Sequence, residues 1–253
     1  MRAAAALAAL AFLPACHGNL SPLSNRIDVG QEPYLILVAD GEGDVGDLFA
    51  SRPGGGTAYQ VTFTRVDERL PALSPDGSLV AFIRTDAPGD TTRRSLVVMN
   101  LLNGAERRAE LGSRAARGVA WSPDGHRLFV AVAGGILEAE APPGRLELAP
   151  VSGERLQLDS LFRVLLGDPP QAEAVPCEGG GLCARFPDGS RQLITTTGNS
   201  PARWPGDSLA YQVDGEWVIR PLLGGRSRAL QWTRALGHPR GLTVFGGALR
   251  SAQ

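Results

Sequence analysis

The chain has 253 residues and a formal net charge of −1, so no general field draws it to nucleic acid. Its 25 basic residues are all arginine, and the absence of lysine excludes a lysine Schiff base and a P-loop. Three histidines are too few for a multi-histidine metal site, and the sequence contains no H-E-x-x-H, G-x-S-x-G or C-x-x-C motif. Abundant glycine (32) and proline (19) favour short strands joined by tight turns.

Residues 1–15 read as an export signal. Arg2 gives a positive start, and Ala3 to Leu13 is an apolar run of 11 residues, too short to span a bilayer. Leu13-Pro14-Ala15-Cys16 resembles the lipobox of bacterial lipoproteins. The resemblance implies that Cys16 becomes the lipidated first residue of the mature chain. Each buried methylene of its acyl chains would contribute about 0.8 kcal/mol to membrane attachment. By analogy with lipoprotein sorting, His17 implies the periplasmic face of the outer membrane. Plain signal cleavage, giving a soluble periplasmic or secreted protein, is the alternative. Residues 16–32, rich in Ser, Pro, Gly and Asn, are expected to form a flexible tether.

The expected folded domain covers residues 33–249. It opens with the strand-like YLILVAD (34–40) and the acidic stretch DGEGDVGD (40–47). Alternating Asp40, Glu42, Asp44 and Asp47 could wrap a calcium ion, but no distal bidentate glutamate follows. A solvated hairpin tip is the simpler reading.

Beyond it the chain repeats itself. The segments DLFASRPGGGTAYQVTF, SLVVMNLLNGAERRAEL, RLELAPVSGERLQL, GLCARFPDGSRQLIT and EWVIRPLLGGRSRAL share a strand–glycine turn–strand pattern. Their turn glycines, Gly56, Gly104, Gly153, Gly189 and Gly225, are spaced by 48, 49, 36 and 36 residues, as four-stranded propeller blades would be. LSPDGSLVAFIR precedes the second copy and WSPDGHRLFVAV the third. A shortened WPGDSLAYQV precedes the fifth, and LFRVLLGDPPQAEAV stands before the fourth without the motif. The alternation of apolar and polar residues in these segments suits half-buried strands.

Ser122, Asp124 and His126 sit close enough in sequence to suggest a catalytic cluster. Catalytic triads, however, draw their members from distant segments, so that a base can be oriented behind a nucleophile. Ser74-Pro75-Asp76-Gly77 and Ser122-Pro123-Asp124-Gly125 instead have the chemistry of turns. Proline presets φ, aspartate caps the following backbone N–H, and glycine accepts positive φ. The two segments are similar to the propeller repeats of the TolB family. That resemblance implies an all-β propeller over about residues 33–249 and leaves activity open. Neither the α/β domain that precedes the propeller in Tol–Pal proteins nor the hydrolase domain of propeller peptidases is expected within these residues.

Only one strand-like segment precedes the first copy, and the chain ends in an incomplete pair, WTRALGHPRGLTVFGGAL. C-terminal strands are therefore expected to complete the first blade, giving five blades of four antiparallel strands and no open edge. Six blades is the alternative. Cys177 and Cys183 flank a glycine-rich turn and are expected to form a disulfide in an oxidising compartment. A zinc site is the weaker rival. Trp121, Trp204, Trp217 and Trp232 are read as blade-packing residues, with Trp204 or Trp232 as an alternative ligand-facing aromatic.

The functional expectation is a non-enzymatic binding module for an envelope protein, peptide or glycan, without cofactor and with the membrane met through the lipid alone. The alternatives are a glycan or ester hydrolase with paired carboxylates at the channel and a purely structural scaffold.

Overall fold

The computed structural model describes residues 22–41, 45–87, 90–151, 173–186, 188–204, 208–214, 216–221, 225–232 and 236–246. In chain order the first strands are β1 (Tyr34–Asp40), β2 (Gly46–Ser51) and β3 (Tyr59–Gln60). A second group contains β4 (Glu68–Leu73), β5 (Leu79–Ala87), β6 (Asp90–Asn100) and β7 (Glu106–Gly112). A third contains β8 (Ala116–Trp121), β9 (Arg127–Val132), β10 (Gly135–Glu140) and β11 (Ala149–Pro150). Next come β12 (Glu173–Pro176), β13 (Leu182–Arg185) and β14 (Arg191–Thr195). The last are β15 (Asn199–Trp204), β16 (Ser208–Val213), β17 (Glu216–Pro221), β18 (Arg228–Ala229) and β19 (Gly237–Phe245). No helix occurs among the described residues.

The strands form antiparallel sheets that follow one another along the chain. The second, third and fifth have the orders β4-β5-β6-β7, β8-β9-β10-β11 and β15-β16-β17-β18, and the fourth is β12-β13-β14. The first breaks sequence order, as β19-β1-β2-β3. Its register runs from Tyr34 opposite Phe245 to Asp40 opposite Gly237, so the chain's late strand covers an edge that β1 would otherwise expose. The rest of the third copy, including Gly153, and most of the segment before the fourth lie outside the described residues.

The first-placed strands of neighbouring sheets touch: β4 meets both β19 and β8, and β19 meets β15. Their registers slip between Arg69 and Ala72 in β4, Ala116 and Gly118 in β8, and Asn199 and Ala202 in β15; the β1–β19 pairing slips twice. Three of these strands contain a proline, Pro71, Pro201 or Pro239. An edge strand tolerates proline because its missing N–H faces no ladder partner, and a bulge absorbs the extra residue. Leu70, inside the first bulge, has φ of 56°.

Apolar side chains fill the seams between sheets. The first and second enclose Ile36, Val38, Leu48, Val80, Phe82 and Val97. The second and third enclose Ile83, Leu96, Trp121, Leu128 and Val130, where the Trp121 indole donates to the Ala72 carbonyl at 2.9 Å. Fully burying such an aliphatic side chain contributes about 1.5–3 kcal/mol.

The first seam also holds residues expected to lie in the tether. Leu23 and Ile27 are buried in it beside Tyr34, Leu101 and Phe245. The N–H groups of Arg26 and Ile27 donate to the Leu23 carbonyl. The expected boundary at residue 32 is thus too late, because two apolar anchors inside a polar segment bring the chain into the core from Leu23 onward.

Candidate functional site

Both Ser-Pro-Asp-Gly segments are hairpin turns. In the first, the Gly77 N–H donates to the Ser74 carbonyl at 2.9 Å. The Ser74 hydroxyl donates to Asp76 Oδ1 at 2.6 Å, and the Ser78 N–H does so at 3.1 Å. Ser122, Asp124 and Gly125 repeat this pattern, with the His126 N–H donating to Asp124 Oδ1 at 3.0 Å. Ser122 therefore spends its proton on the turn. Partial burial raises the Asp76 pKa, but hydroxyls of Ser74 and Ser78 and the Ser78 N–H bring it below the usual range. The Ser122 hydroxyl and the His126 N–H lower that of Asp124.

The turns stand side by side at one end of the second and third sheets, around a cleft of about 940 Å³. Its walls include Pro75, Asp76, Asp124, His126, Glu106 and Arg107. Burial raises Glu106, yet the hydrogen bond and charge of Arg84 hold its carboxyl below the ordinary value. The cleft thus presents anionic acceptors beside an exposed imidazole and an exposed guanidinium.

Behind it, at the seam with the first sheet, lies a buried charged chain that sequence reading missed. Arg84 is 4% exposed and Glu68 0%. The guanidinium lies 2.7 Å from Glu68 Oε1 and reaches both Glu106 oxygens, at 2.6 and 2.8 Å. It also stacks 5.0 Å from the centre of the Phe82 ring. The Thr62 hydroxyl donates to Glu68 Oε2 at 2.6 Å while accepting the Leu48 N–H. Burial pushes Glu68 up to about 7, against the lowering influence of Arg84 and Thr62. Arg84 ends the otherwise apolar run LVAFIR, a signal that its charge must be met inside.

Asp47, the last of the calcium candidates, is buried in the same seam. It accepts hydrogen bonds from Gln60 Nε2 at 3.0 Å and from the Thr64 N–H and hydroxyl at 3.0 and 3.1 Å. These bonds pin the loop on which Phe63 stands 75% exposed. Asp40 ends β1, while Glu42 and Asp44 lie outside the described residues, as does Cys16. Among the described residues, no three His, Cys, Asp or Glu side chains gather as a metal site.

Cys177 and Cys183 form a disulfide, with Cα atoms 5.3 Å apart. Trp121, Trp204 and Trp217 are buried between sheets, and Trp232 packs against the cluster holding the latter two. Trp204 carries the Arg228 guanidinium 5.6 Å from its ring centre. No described helix is long and apolar enough to cross a membrane.

No protein-family model matches the chain, and no curated protein is significantly similar to it. Solved structures similar to it include TolB from Acinetobacter baumannii, at 13% identity and a TM-score of 0.43 over 79% of this chain and 53% of that one. An uncharacterized protein of Listeria monocytogenes matches at 10% identity and a TM-score of 0.39, over 79% of this chain and 64% of that one. The tricorn protease matches at 17% and 0.42, over 78% of this chain and 22% of its own. The chain spans about half the length of the Acinetobacter protein.

Proposed function

We propose that this chain is a five-bladed, TolB-like propeller that binds an envelope protein, peptide or glycan without transforming it. Consecutive meander sheets and the pairing of β19 with β1 support a ring whose first blade is completed by its last strand. The export signal and the disulfide support a periplasmic setting. The lipobox-like Cys16 supports attachment at the periplasmic face of the outer membrane.

The observation that carries the binding reading is the cleft between the two Ser-Pro-Asp-Gly turns. Its volume suits a short peptide or oligosaccharide. Asp76, Asp124 and Glu106 are held in their charged forms, good acceptors for a ligand's N–H or O–H groups but poor proton donors. A glycosidase needs one carboxyl raised toward neutrality at the scissile bond. Among the described residues, Glu68 is a carboxyl with a net upward shift, and it is sealed behind the cleft.

The test is equilibrium binding of the mature chain to arrays of envelope peptides and cell-wall glycans, each hit being repeated with Ser78→Trp. Ser78 lines the cleft, and the larger side chain should weaken a cleft ligand at least tenfold, while loss of the exposed Ser78–Asp76 hydrogen bond costs only about 0.5–1.5 kcal/mol of stability. A hit indifferent to the substitution, or one consumed during the assay, would overturn the reading.

A further inference from the structure

We infer that the end of the molecule carrying the Ser-Pro-Asp-Gly turns faces a lipid bilayer, with Leu102 at the contact. The inference rests on the lipid anchor at Cys16 proposed above and adds an orientation to it.

The entering segment is fixed to that end by several independent contacts. Leu23 is fully buried in the cluster that contains Met99 and Leu101. The Arg26 guanidinium lies 5.4 Å from the Tyr59 ring centre, and Arg52 Nη2 donates to the Arg26 carbonyl at 3.1 Å. A few residues on, the Tyr34 hydroxyl donates to the Gly77 carbonyl, inside the first Ser-Pro-Asp-Gly turn. The Leu101 N–H donates to the Ser78 carbonyl at 3.0 Å, which brings the β6–β7 turn to the same place.

Chain length then decides the orientation. Seven residues lead from Cys16 to Leu23, and even fully extended they reach only about 25 Å. The second sheet is longer than that. β6 has 11 residues, and at a rise of about 3.3 Å each its far end is roughly 35 Å from the turn. A lipid on Cys16 therefore holds the turn-bearing end near the headgroups and cannot bring the β5–β6 hairpin to them. Leu102, next to the buried Leu101, is 54% exposed on this end, an apolar side chain placed where an interface would cover it. Asp76 belongs both to this end and to the cleft wall, so one wall of the cleft lies on the membrane side.

The lipidated chain tests this in vesicles of phosphatidylethanolamine and phosphatidylglycerol carrying a headgroup spin label. With Cys16 acylated and the other two cysteines of the sequence disulfide-bonded, Leu102→Cys supplies one reactive thiol for a fluorophore. Ala87→Cys, exposed at the far end of β5 beside the β5–β6 hairpin, supplies the control. Quenching at position 102 should exceed that at 87 at least threefold. A spacer of 20 Gly and Ser residues inserted after Gly18 should remove the difference while vesicle flotation persists. Equal quenching at the two positions, or a difference that survives the spacer, overturns the orientation and leaves the anchor standing. A chain that does not float with vesicles removes the anchor and the orientation together.

Discussion

The guanidinium of Arg84 lies between Glu68 and Glu106, and its 2.7 Å contact with Glu68 is closed to solvent on both sides. This cross-strand pair ties the start of β4 to β5. Beside it, the Thr62 hydroxyl donates to Glu68 and so attaches the loop after β3 to the second sheet.

Arg84→Met keeps most of the side chain's volume but leaves Glu68 in the seam without its cation. Breaking a buried ion pair from one side costs about 3–5 kcal/mol. Denaturant unfolding should show a loss of that size, and a loss below about 1 kcal/mol would mean that water reaches the pair.

Glu68 itself predicts a pH dependence. Its folded pKa of about 7 stands above the ordinary glutamate value of 4.5, so between those limits the folded state binds more protons than the unfolded one. Glu68's contribution is therefore fully present below about 4.5 and is lost as pH rises through about 7. The accumulated difference is on the order of 3 kcal/mol. Glu68→Gln removes this titration. Wild-type stability should fall relative to that variant between those limits and run parallel to it above them; parallel curves throughout would show an unshifted Glu68.

Gly77 and Gly125 occupy equivalent turn positions with φ of 70° and 74°, but their surroundings differ. A Cβ on Gly77 would stand 2.8 Å from the Phe245 ring, whereas on Gly125 its nearest neighbour would be Pro75 Cδ at 3.6 Å. Gly125→Ala should cost about 1–2 kcal/mol from backbone conformation alone. Gly77→Ala should cost roughly 1–3 kcal/mol more, from overpacking against β19. Equal losses in thermal unfolding would mean that Phe245 moves aside freely.

Replacing Cys177 and Cys183 with alanine should remove about 2.4 kcal/mol, the chain-entropy value for so short a loop. Hydrogen exchange should locate the loss in β12–β14, with protection of β5 and β6 unchanged. Uniform loss of protection would show that the fourth sheet unfolds with the rest.

Features built from local chemistry were legible in the sequence. The turns at Ser74–Gly77 and Ser122–Gly125 announce themselves because proline, aspartate and glycine each do their work within four residues. The partner of β1 was legible through an imbalance, since one copy lacked its first strand and the chain ended with a surplus. Features made by register were hidden. Glu68 and Arg84 meet across a ladder that slips at Leu70 and Pro71, and no periodicity places that slip. Leu23 and Ile27 were hidden by their neighbours, whose polar composition outweighed two apolar side chains that become visible as core only when the seam is assembled. The cleft is likewise a property of two turns brought side by side; each alone reads as solvated surface.

The pairing of Tyr34 with Phe245 has a consequence for biosynthesis. A ribosome finishes β1 long before it reaches β19, and until then the nascent strand keeps an apolar edge that other chains can join. Any C-terminal clipping that removes β19 restores that hazard in the finished molecule. Quality control acting on the tail therefore reads out whether the opposite terminus is safely engaged.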